Sequence, residues 1–480
     1  MTSLVSAPVV IALTAGFVAE AANGRLVNGD PSRVFATVST DSRALATSDA
    51  TKDALFIALQ GPNFDGNTFV ADLITSGIGG VLVDRAPLRT GDGGRGTEDV
   101  AIIVVANTLD ALQRLAREVR RASGAKVIAI TGSAGKTTTK EMTADLLATR
   151  FNVFRNAGNL NNHIGLPLSL LELRHGAKIA VVELGMNHAD EIRALVAISE
   201  PDVRMWLNVG DAHIGHFGSS EAIADAKAEI LEQSTASTLL VANADDPLIA
   251  ARITGFVGRA ITFGVSARAD VRATNVTDHG FDGTRSDLSI GGRAVSLRVP
   301  LPGRANLMNA LAAVAVAADC GVSADDIAER MSAMRAVTRR GDITTLANGA
   351  RLVDDSYNAS PAAMHLALGS LKATPATRRV AVLGEMRELG SLAHARHFDC
   401  GVAAEAAADL LIAIGGADAD ALAEGALHAG LAGKCILRFA NSTAAADALP
   451  ALVRPGDLIL IKGSRGTRTD IVVDRLKGGA

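Results

Sequence analysis

Short apolar runs separated by turn-rich stretches open the chain. Ala54 to Leu59 and Gly80 to Val83 stand between polar segments such as Gly61-Pro62-Asn63 and Gly91 to Glu98. Apolar runs of four to eight residues bounded by Gly, Pro and Asn read as strands joined by turns. The pattern predicts a small α/β domain that ends near Ile102-Val105. Val5 to Ala19 is also apolar, but no Lys or Arg precedes it, and Pro8 and Gly16 interrupt it. A secretory leader needs a basic start and an unbroken apolar stretch, so this segment is read as the first helix of the domain.

From Lys126 the rhythm changes. An apolar strand, Val127 to Ile130, leads through a glycine-containing turn into a helix, and a further apolar strand follows at Ile179 to Val182. Strand and helix in alternation are expected of a parallel sheet. Val271 to Val299 breaks into short alternating segments with Asp-Gly and Gly-Gly turns, which predicts an antiparallel insertion before a helix over Leu307 to Ala318. After a boundary near Val337 the alternation resumes. Strands are predicted at Val380 to Leu383, Leu410 to Ile414, Cys435 to Phe439 and Leu458 to Ile461, separated by alanine-rich helices. The expected class is α/β with three domains: a small α/β domain over 1–105, a central P-loop-type parallel-sheet domain over 106–336, and a Rossmann-like domain over 337–480. A length of 480 residues agrees with about 150 residues per domain.

Composition narrows the function classes. At 48% hydrophobic and 20% charged residues, the chain can bury a large core. Its 47 basic and 51 acidic residues leave a net charge of -4, with no global basic field to draw nucleic acid or an anionic membrane. Cys320, Cys400 and Cys435 are far apart and in no metal-ligand spacing, which points to a reducing compartment. No apolar run reaches the roughly 18 residues of a membrane span. A cytoplasmic monomer acting on small substrates is expected.

The candidate chemistry begins at Thr131-Gly132-Ser133-Ala134-Gly135-Lys136-Thr137-Thr138, directly after a strand and opening a helix. Backbone N–H groups of such a turn, the helix start and a lysine stabilise polyphosphate, and the Thr137 hydroxyl suits Mg²⁺. Ile130 stands where the general Walker pattern has its first glycine, so the match is to a shorter Gly-x-x-Gly-Lys-Thr variant. Glu183 closes the next apolar strand and presents a carboxylate where ligands of parallel sheets collect. His213 lies just past another strand, and Ser219 or Ser220 caps the helix that carries Lys227. Singly, an acid at a strand end, a loop histidine and a helix lysine are ordinary surface features.

Together they are not. Thr131 to Thr138, Glu183-Leu184-Gly185-Met186-Asn187, Ala212-His213 with Phe217-Gly218-Ser219, and Ala226-Lys227-Ala228-Glu229-Ile230 resemble the central domain of the Mur ligase family. The resemblance implies ATP with Mg²⁺ held at Thr137, Glu183 and His213, and a Lys227 carbamylated by CO₂. Gly303-Arg304-Ala305-Asn306-Leu307-Met308-Asn309 resembles the nucleotide-binding run of the family, with Ala305 in place of its usual histidine. Arg340 resembles the arginine that approaches the ATP phosphates, and Asp354-Asp355-Ser356-Tyr357-Asn358-Ala359-Ser360-Pro361 the run of the branch that adds D-alanyl-D-alanine. Gly384 to Gly390 and Lys462-Gly463-Ser464-Arg465 match the same branch. By resemblance, Asp355, Asn358, Lys462 and Ser464 lie near ATP or the incoming amine. Ser39 to Arg43, including Ser42 and Arg43, and Phe64-Asp65-Gly66 are similar to its uridine-nucleotide domain, with Asn67 where a histidine is usual. Asn159-Leu160-Asn161-Asn162 resembles the loop that faces the nucleotide-peptide substrate.

The implied activity is ATP-dependent ligation of D-alanyl-D-alanine to a UDP-N-acetylmuramoyl-tripeptide through an acyl-phosphate, in peptidoglycan precursor synthesis and hence cell shape and division. Two alternatives stand beside it: a related ligase adding another amino acid, and a P-loop protein that uses nucleotide only as a binding switch. With ATP contacts drawn from two domains, the third is expected to close over the central one.

Overall fold

A computed structural model describes residues 8–46, 49–86, 99–158, 160–210 and 214–478. The expected loop at Gly91 to Glu98, together with Asn159 and His213, lies outside the described residues. The chain forms two compact units, one of residues 1–129, 151–186 and 190–203, the other of 130–150, 187–189 and 204–480. The division runs through the strands Lys126–Thr131 and Val203–Trp206.

In the first unit a five-stranded sheet has the spatial order Arg25–Asn28, Ala101–Val104, Gly80–Val83, Ala54–Ile57, Thr37–Ser39. Its inner strands run parallel, and Arg25–Asn28 pairs antiparallel at the edge. All four residues of Ala54–Ile57 and of Gly80–Val83 are buried. Parallel strands covered on both faces read as continuous apolar runs, which is why these two were visible in the sequence. The first helix is shorter than Val5 to Ala19. It spans Ala15–Ala21, begun by Thr14, whose hydroxyl accepts a hydrogen bond from the Phe17 N–H. Val10 instead bridges to His175 and Thr14 to Val34. A side-chain cap and strand pairing took precedence over apolar continuity.

The central sheet has seven strands in the order Val271–Arg272, Arg259–Gly264, Leu239–Asn243, Val203–Trp206, Lys126–Thr131, Ile179–Glu183, Val153–Arg155. Val271–Arg272, expected in the insertion, pairs parallel with this sheet. The antiparallel insertion comprises Thr274–Asp278, Thr284–Ile290 and Arg293–Val299. Along its middle strand Thr284, Ser286, Leu288 and Ile290 are buried while the residues between them are exposed, the period-two pattern of a sheet with one covered face. Gly291 and Gly292, at φ +58° and +82°, make the two-residue turn to Arg293, a conformation open to glycine at little steric cost. The following helix starts at Gly303, earlier than expected, and ends at Asp319.

The last sheet orders Asp342–Thr345, Arg351–Asp355, Asp457–Lys462, Arg378–Gly384, Leu410–Ile414, Ile436–Phe439. All but the first are parallel. Val380 and Val382, Ile412 and Ile414, and Ile459 and Ile461 share one face and one core cluster. Burying each such side chain contributes roughly 1.5–3 kcal/mol, which fixes the register of the strand ends that carry the polar residues described next.

Candidate active site

The phosphate loop is set by its neighbours. Strand Lys126–Thr131 delivers Thr131, fully buried, and Gly135 turns the chain into the helix Lys136–Leu147. Gly135 has φ +84°, and a Cβ there would run into the Asn309 carboxamide. A second loop holds the first. The Ala134 N–H donates to Asn208 Oδ1 at 2.9 Å while Asn208 Nδ2 donates to Ala134 O at 3.0 Å. The Gly210 N–H donates to Ser133 Oγ at 2.9 Å, and that hydroxyl donates to Gly210 O at 3.1 Å. Lys136 Nζ folds back on Gly132 O at 2.6 Å. Thr137 is buried and Thr138 half-buried on the first helical turn. A glycine-containing loop, a helix start and one ammonium are the ingredients that suit the charge of a polyphosphate.

Asn306 and Asn309 occupy one helix face, as expected, with Asn309 Nδ2 donating to Asn306 Oδ1 at 3.1 Å and Asn306 Nδ2 to Pro302 O at 2.8 Å. The contact at Gly135 brings Asn309 to the phosphate loop. Lys227 is carried by the helix Ser220–Ala228, and Ser219 is its cap, accepting from the Ala222 N–H at 3.1 Å. The Lys227 side chain is buried, with no ion pair among the described residues. Burial first, and then the charge of Lys136, push its amine well below the usual lysine value. A neutral amine is the form that adds CO₂, so this site fits carbamylation.

A second group gathers at the carboxyl edge of the last sheet, where the strands ending at Asp355 and Lys462 lie in register. Lys462 Nζ donates to Asp355 Oδ2 at 2.6 Å and to Asn358 O at 3.0 Å. Burial raises the Asp355 carboxyl above its ordinary value, against the pull of Lys462 and Arg340. Arg340 lies over the Tyr357 ring, 3.9 Å from its centre, a cation–π contact that orients the guanidinium without neutralising it. Ser464 Oγ joins two segments, donating to Ala359 O at 3.3 Å and accepting from the Arg387 N–H at 2.9 Å.

In the first unit, Glu183 is buried at the end of its strand, and Asn161 Nδ2 donates to its Oε2 at 3.4 Å. Asn162 Oδ1 accepts from the N–H groups of Ile164 and Gly165, so this expected substrate residue also begins the helix Gly165–Leu171. Arg43 is exposed and paired with Asp41, whose carboxyl it holds down to about 2. Ser42 starts the short helix Ser42–Ala46. Asp65 accepts from Asn67 and Arg85, which together hold it at about 2.

Among the described residues no three His, Cys, Asp or Glu side chains form a metal-binding group. A Mg²⁺ ion that travels with nucleotide phosphates needs only one or two protein oxygens; by chemistry the buried Thr137 hydroxyl in one unit, and the buried Glu183 carboxylate in the other, are each of that kind. Sequence reasoning missed Asn208, Tyr357 as the partner of Arg340, and Glu385 with His397. Glu385 Oε1 accepts from the Gly416 N–H at 2.7 Å, and buried His397 bridges the Met386 N–H and Ala393 O, each at 2.7 Å. Asn208 stands just past the strand Val203–Trp206, a position that by itself carries no pattern in the sequence.

A phosphate-gripping turn on one parallel sheet, and a lysine–carboxylate pair with an oriented arginine on another, define a nucleotide-using α/β enzyme. The family follows from comparison with known proteins. The Mur ligase middle domain matches residues 130–317, and the Mur ligase glutamate ligase domain matches 339–465. The UDP-N-acetylmuramoyl-tripeptide–D-alanyl-D-alanine ligase of Bacillus subtilis is 34% identical over 465 residues, 96% of this chain and 97% of that protein. The Escherichia coli enzyme of the same name is 36% identical, covering 97% and 99%. Crystalline MurF from Acinetobacter baumannii superposes with a TM-score of 0.86 at 32% identity, covering 98% and 99% of the two chains. MurF ligase from Thermotoga maritima in complex with ADP gives 0.79 at 26% identity, covering 92% and 97%. The chain belongs to the Mur ligase family and is an ATP-dependent ligase. Among the described residues no helix is long and apolar enough to cross a membrane.

Proposed function

We propose that the protein joins D-alanyl-D-alanine to a UDP-N-acetylmuramoyl-tripeptide in the cytoplasm, as a monomer, during peptidoglycan precursor synthesis. The uridine nucleotide is assigned to residues 1–105 through Ser42 and Arg43, ATP to 106–336, and the amine to 337–480. Asn159, Asn161 and Asn162 are assigned to the nucleotide-peptide. Relatives named for this reaction match nearly the whole chain, which supports this choice of amine over another amino acid.

A carboxylate oxygen attacks the γ-phosphorus of ATP, ADP leaves, and an acyl-phosphate results. Charge stabilisation dominates such a transfer. Lys136 and the loop N–H groups hold the β- and γ-phosphates, Arg340 approaches from the third domain, and Asn306 and Asn309 face the adenosine. Thr137, Glu183 and His213 would hold Mg²⁺, which would supply positive charge against the phosphates. The neutral Lys227 amine bonds through nitrogen to the carbon of CO₂ and loses one proton, so that an uncharged group becomes a carbamate anion; starting from the ammonium, two protons leave. The dipeptide amine then attacks the acyl carbon, the bond to phosphate breaks, and inorganic phosphate leaves. Asp355 stands near ATP, and Asn358, Lys462 and Ser464 near the incoming amine.

The observation that carries this reading over a nucleotide switch is Lys227, buried without an ion pair among the described residues and within electrostatic reach of Lys136. A binding switch has no use for a desolvated amine beside its phosphate lysine. Lys227→Ala, assayed with and without added formate or acetate, tests it: loss of ligation with partial recovery by the carboxylate is expected, and full activity without one would reject it.

A further inference from the structure

The proposed amine substrate carries a group no residue above accounts for. D-Alanyl-D-alanine ends in a free carboxylate, which must sit near the carboxyl edge of the last sheet when its amine is presented there. Charge accounting at that edge identifies what can receive it. Lys462 is matched by Asp355 at 2.6 Å and Arg387 by Glu385 at 3.2 Å, while Arg340, held over the Tyr357 ring, is assigned above to the ATP phosphates. Arg465, exposed and adjacent to Ser464, has no ion-pair partner among the described residues. The Arg387 side chain packs beside the turn that carries Arg465, its Nε 3.9 Å from where a Cβ on Gly466 would stand.

That turn is built to hold its place. The Arg387 N–H donates to Ser464 Oγ, the Ser464 N–H donates to Glu385 O at 3.0 Å, and Thr467 Oγ1 donates to the same carbonyl at 3.2 Å. Glu385 is fixed in turn by the Gly416 N–H. The Arg387 guanidinium is therefore oriented by a nearly buried carboxylate while remaining mostly exposed. A held guanidinium next to the turn that carries a second, unmatched one suits the binding of a planar monoanion.

We infer that Arg465, assisted by Arg387, binds the carboxylate of the incoming dipeptide and so sets the preference for an amino acid terminus over an uncharged one. This rests on the ligation reading above. Losing charge-assisted hydrogen bonds to a carboxylate weakens binding by about ten- to hundredfold. The test compares D-alanyl-D-alanine with D-alanyl-D-alaninamide, which keeps the amine and removes the charge. In the unaltered protein the dipeptide has the lower KM. In R465M, and more so in R465M/R387M, the KM for the dipeptide rises by about tenfold or more while that for the amide moves little, so the preference collapses. R465K retains part of it. Acyl-phosphate trapped with hydroxylamine, using UDP-N-acetylmuramoyl-tripeptide and ATP alone, reports on the first half-reaction separately. Trapping in the double variant with the preference intact would overturn this inference and leave the ligation reading standing. Absence of trapping in the unaltered protein would overturn the ligation reading itself.

Discussion

At Gly135 a backbone with φ +84° meets the Asn309 carboxamide with no room for a methyl group. Gly135→Ala combines left-handed strain of roughly 1–2 kcal/mol with displacement of Asn309, and is expected to lower melting temperature and weaken ATP binding together, as calorimetry would detect. Asn208→Ala removes both hydrogen bonds to Ala134 but leaves Lys136 and Thr137 in the sequence. Its effect is expected as a raised KM for ATP, about tenfold, in steady-state kinetics. Lys227 sets a pH dependence whose sign is fixed by its burial. The folded chain holds that proton less tightly than the unfolded one, whose lysine titrates near 10.5. In CO₂-free buffer the unfolded state binds more protons between the depressed value and 10.5, so stability at this position increases as pH rises through that window. Denaturant melts of Lys227→Met should lack this component.

At the scale of elements, the helix that presents Lys227 depends on its cap. Ser219→Ala removes the acceptor for the Ala222 N–H and is expected to cost about 0.5–2 kcal/mol, read as a shift in the urea midpoint at constant slope. Asp355→Ala leaves Lys462, whose side chain is 4% exposed, without its carboxylate. Roughly 2–3 kcal/mol of stability should be lost, somewhat less than for a fully buried pair because Asp355 is a quarter exposed. Elements of this kind were legible where burial made the sequence monotonous. Ala54–Ile57, Gly80–Val83 and Leu410–Ile414 are apolar runs covered on both sheet faces. The phosphate loop was legible because a turn, a helix start and a lysine are consecutive in the chain. The clamp by Asn208 was not, because its partner Ala134 is 74 residues away and a single asparagine after a strand carries no pattern. His397 was hidden for a related reason: a buried, doubly bonded ring looks in sequence like any histidine on a helix. The later start of the first helix has a local cause, since Thr14 supplies a side-chain cap within the apolar run.

For the whole molecule, we propose that ATP touches both the central and the third domain and that the third closes over the central one when substrates bind. Small-angle scattering should record a smaller radius of gyration with an ATP analogue and UDP-N-acetylmuramoyl-tripeptide together than without them; an unaltered profile would argue against closure. The family and the three-domain α/β class agree with what the motifs implied along the entire chain. The amine is the remaining step from family to reaction, and one assay addresses it directly. Phosphate release from ATP should require UDP-N-acetylmuramoyl-tripeptide and D-alanyl-D-alanine together, and should not be supported by diaminopimelate, lysine or glutamate in place of the dipeptide. Release with any of those three in preference to D-alanyl-D-alanine, or hydrolysis indifferent to both substrates, would contradict the account.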